Sequence, residues 1–173
     1  KKEKYINDES DSDNEEDDFE LCKDKSQGTY CKGLITAIMN VVTKIPLMIE
    51  LSNDLDERKH ILSMIHVLKR GDKLILDRGY YSEELINECN KRGIIVILRL
   101  KSSYLTVKYL INKKIDNAIF KTTDKTYLNL DSDFKVISYN IKGKSYYIGT
   151  TDTKLSATDI QNYYWSRWTV EEL

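Results

Sequence analysis

Three residues at the end of a short apolar stretch, Asp77, Arg78 and Gly79, are of types that suit phosphate chemistry, and they directly follow a predicted strand over 73–76. A carboxylate at the C-terminal end of a sheet strand lies where open α/β sheets bind their ligands. Mg²⁺ is held by such carboxylates together with substrate phosphates. Arg78 can present a guanidinium fork to a phosphate, and Gly79 allows a tight turn. The alternative is a simple turn between Asp77 and Gly79, which the triplet alone favours.

A second group of chemically suitable residues lies near the end of the chain. Tyr164, Arg167 and Glu171 are spaced three and then four apart, so a helix places all three on one face. A phenol, a guanidinium and a carboxylate on one face form a surface for phosphate and metal. The alternative is an exposed Arg–Glu pair that contributes roughly a few tenths of a kcal/mol. Trp165 and Trp168 are predicted to pack on the core, with stacking on a base as the alternative.

The elements before Asp77 are predicted to be a hairpin and a helix. Two strand-like runs within 33–51, joined by a turn at Thr43-Lys44, predict the hairpin. Asn53-Asp54 then offer a cap for an amphipathic helix that ends at Gly71. Its two histidines, His60 and His66, are predicted to lie at the solvent or at the boundary of the core.

The elements after Asp77 alternate between helix and strand. Ser82 caps a predicted second helix that ends at Gly93, and the apolar run over 94–98 predicts a central strand covered on both faces. The short alternating runs YLTVKYLI, KVISYNI and SYYIGTT then predict a β-rich insertion. Residues 156–159 open the last helix. We therefore divide the chain into an acidic, disordered segment (1–27), an α/β core (28–100 and 151–173) and the insertion (101–150).

Composition excludes several classes of protein. The 173 residues suffice for one domain with a sizeable core, and 40% are apolar while 32% are charged. No apolar run approaches the roughly 18 residues that a membrane span requires. The first residues lack the apolar segment of a signal peptide. The three cysteines have no CxxC spacing, which predicts free thiols in a reducing, intracellular environment rather than disulfides or a zinc site.

The net charge of −1 conceals an uneven distribution. Residues 1–20 hold ten acids and three lysines, a charge of −7, so the rest of the chain carries +6. A basic body suits a phosphate backbone as partner. The acidic run over 8–20 is predicted to be solvated and disordered. Metal binding, or self-inhibition through mimicry of nucleic acid, is the alternative for that run.

The stretches LILDRGYYSEEL, IIVILRLK and YYWSRWTVEEL resemble the DDE transposases of the insertion-sequence-four type. Asp77 to Tyr80 match the D-R-G-Y motif around that family's second catalytic Asp. Tyr164, Arg167 and Glu171 match the Y-x2-R-x3-E signature around its catalytic Glu. The resemblance covers about residues 28–173. It implies an RNase H-like mixed sheet flanked by helices, with the β-rich insertion placed before the last catalytic helix.

The resemblance also implies roles for these residues. Asp77 and Glu171 would be catalytic and would bind two Mg²⁺ or Mn²⁺ ions, while Arg78, Tyr164 and Arg167 would contact DNA phosphates. The implied activity is cut-and-paste DNA transposition by two-metal phosphodiester cleavage and strand transfer. The implied partners are double-stranded DNA, both transposon ends and target, and a homodimer is a candidate assembly. No membrane or targeting signal is expected, and the protein would act inside the cell, with DNA.

The chain departs from the family pattern in two places. The family's first catalytic Asp lies on the first strand and is followed by Gly, but no Asp-Gly occurs here, and Asp8 is the nearest candidate. The signature Lys would fall at position 178, beyond Leu173. We therefore expect a fragment of a longer transposase that lacks the first strand. The alternatives are an RNase H-like nuclease without strand transfer, an inactive relic or DNA-binding module, and a structural domain in which Asp77 and Glu171 never meet.

Overall fold

The computed structural model describes the backbone of residues 21–23, 29–31 and 33–168, and the side chains of residues 33–168. The strands in chain order are β1 (Leu21–Lys23), β2 (Thr29–Cys31), β3 (Leu34–Asn40), β4 (Ile45–Ser52), β5 (Lys73–Leu76), β6 (Ile95–Arg99), β7 (Asn117–Phe120), β8 (Phe134–Ile141) and β9 (Lys144–Thr150). The helices are α1 (Glu57–Met64), α2 (Glu83–Arg92), α3 (Leu105–Lys113) and α4 (Ala157–Ser166).

A five-stranded mixed sheet forms the centre of the molecule. Its strand order is β5-β6-β9-β8-β7, and only β5 and β6 pair in parallel. Val96, Ile97 and Leu98 of β6 are fully buried, as expected for the apolar strand that the sequence predicts. The mixed α/β class is confirmed, and the arrangement is consistent with an RNase H-like fold.

Helices cover both faces of this sheet. One face carries the larger core, to which α1, α2 and α3 contribute buried side chains; these include Met64, Leu85, Ile86, Val107 and Leu110. On the other face, Ile160 and Tyr164 of α4 pack against Ile97, Ile137 and Ile148. This second contact fixes α4 across β6 and β9, and it brings Tyr164 close to the end of β5.

The hairpin of β3 and β4 is confirmed, and it forms a sheet of its own. One face packs on α1, where Thr36 Oγ1 lies 3.1 Å from His60 Nδ1. His60 is only 4% exposed, so the prediction that it lies at the solvent or boundary is wrong. The ring is buried because it lies on the face of α1 that packs on the hairpin; the Thr36 hydroxyl pairs with Nδ1, while Nε2 has no hydrogen-bond partner among the described residues. The opposite face of the hairpin exposes Ile35, Leu47, Ile49 and Leu51.

Three local predictions require correction. The first helix begins after Asp56, whose side chain accepts a hydrogen bond from Arg58 N–H, and ends at Met64 in a 3-10 turn. The run YLTVKYLI is not a strand but most of α3, because Thr106, Val107 and Leu110 face the core at helical spacing. Trp165 and Trp168 are absent from the buried core in the described part of the chain. Their ring centres lie 4.5 Å apart, and the two rings meet edge-on.

Several other predictions agree with the structure. Ser82 accepts a hydrogen bond from Leu85 N–H at the start of α2, and Gly93 ends that helix with a φ of 72°. Cys89 is a buried free thiol.

Among the residues that the structure describes, no helix is long and apolar enough to cross a membrane.

Candidate active site

Asp77 lies at the point where β5 ends and a 3-10 turn, Arg78–Tyr80, begins. Its Oδ1 accepts a hydrogen bond from Tyr164 Oη at 2.9 Å, although the two residues are 87 positions apart in sequence. Tyr80 N–H also donates to the Asp77 carbonyl, so the turn that the sequence allowed is present too. The fold thus joins the two motifs that sequence analysis singled out, at the carboxyl edge of the sheet.

The position of Tyr164 follows from how α4 begins. Ser156 Oγ accepts Asp159 N–H at 3.1 Å, and Asp159 Oδ2 accepts Ser156 N–H at 3.3 Å, which forms a capping box. Ile160 and Tyr164, one turn apart, are then directed into the sheet, and Tyr164 is 2% exposed. Burial, and secondarily the charge of Asp77, raises the pKa of Tyr164 to about 12. The phenol therefore stays protonated and donates to Asp77 at neutral pH.

The carboxyl group of Asp77 is kept ionised by its surroundings. Partial burial on its own raises the pKa of Asp77. Hydrogen bonds from Arg78 N–H and the Tyr164 hydroxyl, together with the charges of Arg167 and Arg99, outweigh this effect and leave the pKa below its ordinary value of 3.8. The side chain remains 38% exposed. An ionised, accessible carboxylate of this kind suits a hard divalent cation.

The other predicted site residues are Arg167, Arg78 and Glu171, and only the first two lie in the described part of the chain. Arg167, directly after α4, has its guanidinium carbon 5.5 Å from the Tyr164 ring, and its charge acts on Asp77. Arg78 is exposed beside Asp77. Glu171 lies outside the described residues. Of the five residues predicted for the site, Asp77, Tyr164 and Arg167 are brought together.

Arg99, the last residue of β6, was not predicted from the sequence as a site residue. Leu76 pairs with Leu98 in the parallel ladder, so Asp77 and Arg99 follow side by side. Arg99 Nη1 lies 4.0 Å from Asp77 Oδ1. The available signal was a charged residue at the end of the apolar run over 94–98, since neighbouring parallel strands end at the same edge.

A cavity of about 480 Å³ runs along β5 and ends at Asp77. It is lined by consecutive residues of two chain segments, 37–42 and 72–77, and also by Arg167. Ile95 N–H donates to the Asp72 carbonyl. Because backbone groups alternate in direction along a strand, those of Lys73 and Ile75 therefore point away from β6. Among the described residues no strand pairs with this edge of β5, and the cavity separates it from β3.

A metal site is only partly present in the described part of the chain. Within residues 33–168, no group of three or more His, Cys, Asp or Glu side chains converges. Asp77 supplies a hard oxygen donor at the carboxyl edge of the sheet, where the guanidinium groups of Arg99 and Arg167 could neutralise a phosphate. This donor chemistry fits Mg²⁺ or Mn²⁺, but one carboxylate requires at least one more.

Comparisons with known proteins agree with this arrangement. The protein-family model described as Transposase DDE domain matches residues 5–173. No curated protein matches the chain. Among solved structures, the chain is similar to a cryo-EM structure of the piggyBac transposase synaptic complex with hairpin DNA, with a TM-score of 0.58 and 12% identity. The similarity covers 88% of this chain and 35% of that chain, so the chain spans about a third of the length of the chain that it matches.

Proposed function

Since the chain belongs to the family of transposase DDE domains, we propose that it carries out DNA transposition as part of a DDE transposase of the insertion-sequence-four type. The observation that supports this most is the hydrogen bond from Tyr164 to Asp77, because it joins the two sequence motifs of that type at one edge of the sheet. The reaction would be hydrolysis of a phosphodiester at an element end, followed by strand transfer into target DNA.

In this proposal Asp77 and Glu171 are the carboxylates that hold Mg²⁺ or Mn²⁺. A helical continuation of α4 would place Glu171 one turn beyond Arg167 on the same face. When bound, the two ions would activate the attacking water or 3′-hydroxyl and stabilise the leaving oxygen. Together with the Arg78 N–H, the Tyr164 hydroxyl stabilises the ionised form of Asp77, and it restricts the Asp77 rotamer. Because its pKa is about 12, the phenol cannot take up a proton from an attacking water.

The phosphates of DNA would be bound by arginines around Asp77. Arg78 and Arg167 are the residues that sequence analysis assigned, together with the Tyr164 hydroxyl at the same edge. Arg99 joins them because its Nη1 lies 4.0 Å from Asp77 Oδ1. A guanidinium presents a planar fork of donors to phosphate, and so it can orient the scissile strand.

The cavity between β3 and β5 is a fitting place for the family's first strand. Its lining includes consecutive residues of β3 and β5, and the backbone groups of Lys73 and Ile75 point away from β6. A strand inserted there would pair with β5 and end beside Asp77, where a carboxylate could complete the metal site. We propose that this strand carries the first catalytic Asp.

The remaining proposals concern partners and organisation. Double-stranded DNA, both transposon ends and target, is the proposed substrate, and a homodimer is the proposed assembly. The protein would act inside the cell, where DNA is. The division into an acidic segment (1–27), a catalytic core (28–100 and 151–173) and an insertion (101–150) remains a proposal, and the strands of that insertion, β7, β8 and β9, form part of the central sheet.

The test is metal-dependent nicking of a labelled duplex by the whole transposase of which this chain is proposed to be a part. We expect nicking with Mg²⁺ or Mn²⁺ and a loss of roughly 10²–10³-fold in Asp77→Asn. The matched control is Asp131→Asn, a change at an exposed aspartate between β7 and β8, and this variant should nick normally. Salt-sensitive DNA binding without cleavage, unaltered by Asp77→Asn, would instead support an inactive relic or a DNA-binding module. Nicking without strand transfer would support a nuclease.

A further inference from the structure

A row of four side chains crosses four neighbouring strands on the face of the sheet that α4 covers. We call Asp77, Arg99, Tyr146 and Tyr139 the arginine–tyrosine row. Arg99 Nη1 lies 4.0 Å from Asp77 Oδ1, and the Arg99 guanidinium carbon lies 5.1 Å from the centre of the Tyr146 ring. The Tyr146 and Tyr139 rings stack with centres 5.4 Å apart and planes 15° from parallel.

Strand register fixes this row. Tyr139 and Tyr146 are direct partners across β8 and β9, and Arg99 is the direct partner of Ile148 across β6 and β9. Tyr146 is two residues from Ile148, so its side chain lies on the same face as Arg99 and diagonally next to it. The register of β6, β8 and β9 therefore places the Tyr146 ring next to Arg99.

The ring contact governs where the Arg99 guanidinium points. A guanidinium stacked on an aromatic ring keeps its in-plane N–H donors available to a second partner. Within residues 33–168, Arg99 forms an ion pair with Asp77 and a ring contact with Tyr146, and its side chain donates no hydrogen bond. A separation of 4.0 Å is longer than a hydrogen bond. The charge of Arg99 is thus held close to the carboxylate, while its donors remain available to a phosphate.

We propose that Tyr146, supported by Tyr139, is a positioning residue that holds Arg99 ready to bind the DNA phosphate next to Asp77. This inference rests on the proposed function. Without the ring, the flexible Arg99 side chain can move closer to Asp77 and form a hydrogen-bonded ion pair, or it can extend into solvent. The first outcome would occupy the carboxylate and the second would remove the phosphate contact.

The competing explanation is purely structural. Stacked tyrosines on neighbouring strands stabilise a hairpin by themselves, and Lys144 Nζ also lies 5.8 Å from the Tyr146 ring centre. In that case, loss of the ring would weaken folding or general DNA attraction, but it would not change how the protein senses the charge of one phosphate. A test must therefore compare substrates as well as variants.

The experiment measures binding of the full chain, in Ca²⁺ to prevent cleavage, to two sets of duplexes. One set carries ordinary phosphates. In the other set, a single phosphate is replaced by neutral methylphosphonate, at successive positions around the expected cleavage site. We expect wild type to lose about five- to tenfold in affinity at one position near the nick. Tyr146→Leu should show less than a twofold loss at that same position, while Tyr146→Phe should behave as wild type because it keeps the ring.

The matched control is Tyr109→Leu. Tyr109 contacts the rings of Phe120 and Tyr127 at 5.5 and 5.2 Å, in an aromatic cluster of the larger core. This variant should keep the wild-type sensitivity to methylphosphonate. Equal sensitivity in wild type and Tyr146→Leu would overturn the positioning role while leaving the proposed function intact. Failure of wild type to bind any of the duplexes would overturn both.

Discussion

At the level of single residues, the proposed site depends on the hydrogen bond from Tyr164 to Asp77. A buried phenol with a pKa of about 12 donates to a carboxylate whose own pKa is lowered, so both groups are in the protonation state that the hydrogen bond requires near neutral pH. Because Tyr164 is anchored by Ile160 and the sheet, it restricts the rotamer of Asp77. A restricted carboxylate loses less freedom when it binds a cation.

Tyr164→Phe tests this contact through pH. The folded-state pKa of Asp77 lies below 3.8, so its ionisation stabilises the fold at neutral pH. That contribution is lost as pH falls from 3.8 through the folded-state pKa. Removing the donor raises the Asp77 pKa, and it should cost about 1 kcal/mol at pH 7, since water can partly replace the phenol. The difference in unfolding free energy between variant and wild type should shrink below pH 3.8.

The measurement is urea unfolding across this pH range, together with the carboxyl ¹³C chemical shift of Asp77. Tyr163→Phe, at the exposed neighbour on the same helix, is the control and should leave both unchanged. An Asp77 titration curve that does not move in Tyr164→Phe would show that the hydrogen bond has no influence on the carboxylate.

Some of these residues can be predicted from sequence, and others cannot. Tyr164 and Arg167 follow from helical spacing and Asp77 from its place after an apolar run, because both signals are local. Arg99 and Tyr146 meet only through the register of β6 and β9, which no local pattern specifies. His60 was misplaced for a similar reason, since its partner Thr36 lies on a distant strand.

At the level of elements, β9 depends on a position without a side chain. Gly149 pairs with Leu98 on one side and Val136 on the other, and a Cβ there would clash with the ring of Phe134 and approach Leu100 at 3.2 Å. The Phe134 ring is fully buried against this gap. The close packing explains why β9 can lie in the middle of the sheet beneath a large aromatic ring.

Gly149→Ala should therefore lower the unfolding free energy by about 3 kcal/mol, measured by urea denaturation. The control is Gly143→Ala, where a Cβ meets open space and only the φ of 77° is unfavourable, at a cost of about 1 kcal/mol. Phe134→Leu should cost less in the Gly149→Ala background than in wild type, because the smaller side chain leaves room. Strictly additive effects would argue against the clash.

The start of α4 allows a second test at this level. Ser156→Ala removes one hydrogen bond of the capping box and should lower stability by about 1 kcal/mol in thermal or urea unfolding. Ser102→Ala, in an exposed turn, should change it by less than about 0.5 kcal/mol. If the two variants were equally stable, the capping box would not be what fixes the start of α4.

Element prediction from sequence succeeded where end signals were strong. The ends of α2 were correct because Ser82 and Gly93 are strong caps, and the hairpin was correct because two strand-like runs flank one turn. The run YLTVKYLI has an apolar pattern that fits a strand and a helix almost equally. The segment forms the helix α3 because Val107 and Leu110 are buried against the rest of the fold, and these contacts are not local in sequence. The order of strands in the sheet could not be predicted for the same reason.

At the scale of the whole molecule, charge should govern DNA binding. Arginines around Asp77 would release counterions from DNA, so affinity should fall steeply with salt. Arg78→Gln, Arg99→Gln and Arg167→Gln should each reduce the slope of log affinity against log salt by about 1. Arg92→Gln is the control, because Arg92 pairs with Glu88 on α2, at 2.9 Å. A slope unaltered by the first three variants would place the DNA elsewhere on the protein.

The central claim is that Asp77 and Glu171 share one divalent cation, and the most direct measurement is cleavage of the polypeptide by bound Fe²⁺. Iron in place of Mg²⁺, with ascorbate and peroxide, generates radicals that cut the backbone near the ion. We expect cuts close to residues 77 and 171, both suppressed by excess Mg²⁺ and both lost in Asp77→Asn. Cuts near one residue only, or a cut near 171 that persists in Asp77→Asn, would contradict the shared site.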